Sequence, residues 1–70
     1  MTEAEYADAC RAALAAAKIA ASDRQTPRGV WVVQGTDAEG LPFVVGHPEG
    51  RAASWDVALR MHKVQGPPAC

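Results

Sequence analysis

The residues of this chain whose types could support catalysis or metal binding are His47, His62, Cys10, Cys70 and Ser54, with Glu49 and Asp56 as companions. Zinc and other transition metals need ligands at short, recurring spacings. No pair among these residues has zinc-finger spacing or stands at i,i+4 on one helix. A nucleophile needs a base within hydrogen-bond reach. Ser54 and His62 fall on one helical segment but are separated by roughly 12 Å along its axis, at 1.5 Å per residue. There is no GxSxG elbow and no Cys–His signature. Gly35, Gly40, Gly46 and Gly50 match neither GxGxxG nor a phosphate-cradling loop, and read as turns and strand ends. The expectation is a protein that is not an enzyme and has no cofactor and no metal.

Charge allows one alternative chemistry. The net charge is −1, so no strong field draws the chain to nucleic acid or an acidic membrane. Arg24, Arg28, Arg51, Arg60 and Lys63 all lie in the second part of the sequence. Gathered beside Trp31 or Phe43, they could grip phosphate while a ring stacked on a base.

Seventy residues, 49% hydrophobic and 21% charged, suit one small folded domain. A lone core of that size contributes about 3–5 kcal/mol, so such domains often lean on a staple or a partner. Cys10 reads as a small hydrophobe in a helix stripe and Cys70 as a free terminal thiol, without a disulfide framework. The acidic, Ala-rich start lacks a basic-then-apolar leader, and no apolar run is long enough to span a bilayer. A cytoplasmic protein with no membrane partner is expected.

The elements follow from patterning. Thr2-Glu3-Ala4-Glu5 forms a capping box, and ten alanines lie between Glu3 and Ala21, Ala21 included, so a helix is expected over about 3–21. Its apolar stripe contains Tyr6, Cys10 and Leu14 with small residues between them, while Ile19 points into the polar arc. Either the helix ends early or Ile19 meets something else. Ser22–Gly29 reads as a linker. Strands are expected over about 30–35 and 41–46, joined by Asp37-Ala38-Glu39-Gly40 as a type I turn with glycine at positive φ. Pro42 marks a sheet edge. Ser54 reads as a helix cap with Asp56 in the first turn. The helix runs over about 55–65, with Gly66 in the cap position, Pro67 and Pro68 beyond it, and a tail over 66–70. The fold class is therefore α+β, a single α-β-β-α domain with an antiparallel hairpin packed against two helices.

Apolar surface exceeds its cover in this arrangement. The hairpin has large side chains on both faces. The second helix has two apolar faces, one with Trp55, Leu59 and a packed His62, the other with Val57, Met61 and Val64. The surplus can be absorbed by helices on opposite sheet faces, by edge-to-edge pairing with a second copy as a homodimer, or by another protein. Exposed apolar patches and unpaired strand edges mark interaction sites. The expected function is a small protein-binding regulator or inhibitor that occludes a partner's surface, contacting it through Trp31, Phe43, Val57, Met61 and Val64. In scale and in lacking catalytic equipment the chain is similar to short inhibitors encoded by phages and mobile elements, anti-CRISPR proteins among them, though no motif is shared.

Overall fold

The capping box forms as its residues dictate. In the computed structural model, which describes residues 2–66, the Thr2 hydroxyl accepts from the Glu5 N–H at 3.2 Å. The Glu5 carboxylate accepts from the Thr2 N–H at 2.9 Å. Helix α1 follows over Glu3–Ala16, shorter than alanine content alone suggests. Lys18 takes a left-handed backbone, φ 65°. Its N–H bonds the Ala15 carbonyl, and the Ile19 N–H bonds the Leu14 carbonyl. This is a Schellman ending. It swings Ile19 out of the polar arc and into the core, where it is 5% exposed. Burying that side chain is worth about 1.5–3 kcal/mol, against the loss of little more than one helical turn, roughly 3.6 residues per turn.

Stopping at Ala16 frees Ala20–Gln25 to become strand β1, the segment that composition assigns to a helix end and a linker. Strand β2 spans Trp31–Thr36 and β3 spans Pro42–Gly46, in an antiparallel sheet of order β1-β2-β3. Both hairpins use one turn. Gly29 and Gly40 each stand at φ 85°, and each N–H bonds the carbonyl three residues back, on Thr26 and Asp37. Pro27 supplies the fixed φ of the first turn. The Asp37 carboxylate accepts from the Glu39 and Leu41 N–H groups, and the Thr26 hydroxyl from the Val30 N–H. Thr-Pro-Arg-Gly and Asp-Ala-Glu-Gly are two versions of one device.

Helix α2 covers Arg51–Met61 and starts earlier than its serine suggests. Gly50 is the cap residue, at a φ of 132° that suits glycine alone. Ser54 therefore lies inside the helix, and Asp56 is beyond its first turn. The end is not at Gly66 either. Lys63 takes φ 55°, with its N–H on the Arg60 carbonyl and the Val64 N–H on the Leu59 carbonyl. This repeats the ending of α1, Leu14…Lys18-Ile19 against Leu59…Lys63-Val64. Pro67, Pro68 and Cys70 lie outside the described residues.

The protein is thus a small α+β domain of helix, three-stranded antiparallel sheet and helix, not a hairpin alone. Both helices lie side by side on one sheet face, since three strands at about 4.8 Å spacing are wide enough to seat them. The shortest dimension, 15 Å, fits one helix layer on one sheet, so helices on opposite faces are ruled out. Ala7, Cys10, Leu14, Ile19, Val33, Phe43, Trp55, Ala58 and Leu59 form the core between the layers. The other sheet face carries Ser22, Arg24, Val32, Gln34 and Val44. No helix among the described residues is long and apolar enough to cross a membrane.

The two left-handed lysines make a direct test. Lys18→Gly and Lys63→Gly each relieve a conformation unfavourable for L-residues and should raise stability by about 0.5–1 kcal/mol, net of glycine's unfolded-state entropy. Thermal melts would check this, and an unchanged or lowered midpoint in both would contradict it. Gly35 behaves oppositely, because a Cβ there would overlap the Ala20 carbonyl oxygen. Gly35→Ala should lose at least about 1–3 kcal/mol, the usual range for overpacking.

Candidate functional site

Position on the sheet decides what each side chain can offer. Asp23 points from β1 toward the helices, and its side chain is only 8% exposed. Its carboxylate accepts from the Arg51 Nε–H at 2.6 Å and from the Trp55 indole N–H at 3.0 Å, with the Arg11 guanidinium 3.9 Å away. Arg51 lies 4.7 Å over the Trp31 ring and Arg11 lies 5.7 Å over Trp55. Arg11 also pairs with Asp8 at 2.8 Å. Two arginines and two aspartates balance here, leaving no net charge to attract an ion. Burial by itself raises the Asp23 pKa, but the Arg51 and Trp55 hydrogen bonds and the charges of Arg51 and Arg11 outweigh it. The carboxyl sits below its ordinary value.

Ser54 fixes the other side of α2. It is fully buried, accepts from the His47 N–H at 3.1 Å, and lies 2.9 Å from the Trp31 carbonyl and 2.8 Å from the Gly50 carbonyl. Its single proton serves one of these carbonyls at a time. The helix start is thereby tied to β2 and to the residue following β3. Asp56 faces α1, where its carboxylate accepts from the Tyr6 hydroxyl. That hydrogen bond, with burial second, raises the Tyr6 pKa.

With α2 anchored so, Val57 and Met61 lie on its flank away from α1. They line a shallow hollow of about 460 Å³ with His47 and Arg60. Met61 is 51% exposed and Val57 half-buried. Beside them runs the outer edge of β3, which has no neighbouring strand among the described residues. The Asp37 N–H bonds the Leu41 carbonyl, and bonded pairs alternate along an antiparallel ladder. Phe43 opposite Gly35 and Val45 opposite Val33 therefore bond to β2. Pro42, Val44 and Gly46 turn their backbone groups outward. Val44 is 63% exposed and neighbouring Leu41 58%. No residue from Leu41 to Gly46 is charged.

The remaining expected contact residues are dispersed. Phe43 belongs to the core, edge-on to His62 at 4.5 Å, because its side of β3 faces α2. Val64 packs on the core as part of the α2 ending. Trp31 is half-buried beneath Arg51, which leaves its ring no free face of that side for a base. Arg24 is on the open sheet face, bonded to Gln34 at 3.0 Å, and Arg28 is in the β1–β2 turn. Arg60 and Lys63 lie at the far end of α2, so the five cations form no single patch. His62 packs as expected, but its Nε2 is buried with no partner among the described residues. Cys10 is a buried free thiol whose pKa is raised by burial. Among the described residues no group of three or more His, Cys, Asp or Glu could hold a metal. Val44 and Leu41 escape the sequence reading, although Pro42 signals the edge and Val44 follows it by the two-residue strand period.

No family model, curated protein or solved structure matches the chain.

The lowered Asp23 pKa fixes the sign of an acid response. Its stabilisation is fully present above the ordinary carboxyl value, about 3.9, and is lost as pH falls through the lower folded value. Asp23→Asn should cost about 2 kcal/mol at neutral pH, within the range for hydrogen bonds to charged groups. It should also flatten the acid limb of a urea-melt series. An unchanged acid limb in the variant would show that other carboxyls govern it.

Proposed function

We propose that this chain is a small non-enzymatic protein-binding regulator that occludes a partner's surface, docking through the β3 edge and the adjoining flank of α2. One observation carries the reading: among the described residues β3 is an unpaired strand edge without a charged side chain, flanked by exposed Leu41, Val44 and Met61. Folded proteins blunt such edges with charge, bulges or cover. The opposite edge follows that rule, since β1 carries Asp23 and Arg24 and lies against α1. On β3 only Pro42 serves, and it removes a single N–H. An extended partner segment could add to this edge, with backbone bonds giving affinity and Val44 and Met61 giving specificity on the two faces.

The nucleic-acid alternative uses Arg24, Arg28, Arg51, Arg60 and Lys63. Their dispersal, with Arg51 paired to Asp23, favours the protein reading.

Affinity capture from the host lysate tests it with wild type, Val44→Lys, Met61→Glu and Ala12→Lys, the last on the exposed side of α1. A protein retained by wild type and Ala12→Lys should be lost by about tenfold or more with Val44→Lys and Met61→Glu. Capture unaffected by both would overturn the reading. Nucleic acid recovered alone, and lost on Arg28→Ala, would transfer the function to the arginines.

A further inference from the structure

We infer that the β3 edge of the free protein is occupied by a second copy of this chain, paired antiparallel about a two-fold axis at Val44. The inference rests on the reading of β3 as the docking edge and names what occupies that edge when no partner is bound.

The pattern of outward backbone groups is self-complementary. A hydrogen-bonded antiparallel pair exchanges both N–H···O bonds between directly opposed residues. With Val44 opposite its own copy, each Val44 N–H meets the other Val44 carbonyl. Gly46 then stands opposite Pro42 of the second copy, and its N–H meets that proline's carbonyl. Every outward N–H of the strand gains an acceptor. The missing donor of Pro42 falls opposite the Gly46 carbonyl, which stays open to water.

Side chains agree with the register. Pro42, Val44 and Gly46 share the open face, as their opposition to Thr36, Gln34 and Val32 requires. Each Pro42 ring is thus set opposite a residue with no side chain, and the two exposed valines meet at the axis. Cross-strand aliphatic pairs are favourable and like charges directly opposite are not. The segment Leu41–Gly46 brings no charge to its copy. On the helix face, Met61 immediately precedes His62, which packs on Phe43. The axis at Val44 therefore turns the Met61 flank of α2 toward its counterpart. The product is a continuous sheet with three strands from each copy, its helices on one face and its bare edges covered.

Sedimentation equilibrium on the full chain, from micromolar to millimolar, tests this alongside amide hydrogen exchange. Wild type should reach twice the 7.4 kDa chain mass and dissociate on dilution. Protection of the Val44 and Gly46 amides should rise with concentration, while Phe43 and Val45 stay protected throughout. Chemical synthesis with N-methylated Val44 removes the outward donor and leaves the β2 ladder intact. This variant and Val44→Lys should weaken association at least tenfold with unchanged far-UV circular dichroism, and Val44→Thr should retain it. A wild type monomeric at every concentration overturns self-pairing, as does a dimer insensitive to N-methylation or unaccompanied by Val44 protection. A monomer whose partner capture still depends on Val44 overturns self-pairing alone and leaves the docking edge standing. A Val44-dependent dimer whose partner capture ignores Val44 supports self-pairing and overturns the docking reading.

Discussion

Asp23 reaches from β1 into the seam between the helices, where one carboxylate joins three elements. Arg51 and Trp55 donate to it from α2, and Arg11 approaches from α1. The sequence of β1, Ala-Ala-Ser-Asp-Arg-Gln, has little intrinsic preference for a strand. What keeps it in the sheet is the ladder to β2 together with this buried charge network. A buried carboxylate without partners would be strongly unfavourable, so the network specifies one arrangement: β1 in register, α2 turned with Trp55 inward, and Arg51 folded over Trp31.

That arrangement decides where the apolar surplus goes. With β1 added, the sheet is wide enough for both helices on one face, and Trp55, Leu14, Val33 and Phe43 close the core between them. The second face stays open and mixed in polarity. Of the two sheet edges, one falls beside α1 with charged side chains, and the other is β3, bare and uncharged. Three of the four exposed large apolar side chains, Leu41, Val44 and Met61, thus fall along the β3 edge and the adjoining flank of α2, with Val30 apart from them just before β2. Contact with another chain at that edge would complete both the backbone bonds and the apolar cover.

Local solutions recur. Both helices end in a leucine, a left-handed lysine and a β-branched residue turned inward, and both hairpins close with glycine at φ 85° after an oxygen-bearing first residue. In each helix, folding the β-branched residue onto the core outweighs the strain at the lysine. The second hairpin turn is readable because two apolar strands flank it. The first, Thr26–Gly29, has the same signature but adjoins a strand of polar and small residues, so hydrophobic patterning gives it no support.

The sequence by itself determines the capped start of α1, the second hairpin turn, strands β2 and β3, the edge position of Pro42 and the class of the fold. These follow from short-range hydrogen bonding and from apolar periodicity, which act within a few residues. Strand β1, the early end of α1, the start of α2 at Gly50 and the inward roles of Ser54 and Phe43 are decided only in the tertiary structure. Each depends on partners far along the chain: Asp23 on Arg51 and Trp55, Ser54 on Trp31 and His47, Gly35 on the passing backbone of Ala20. A window of neighbouring residues contains no trace of those partners, because burial and charge pairing belong to the assembled fold.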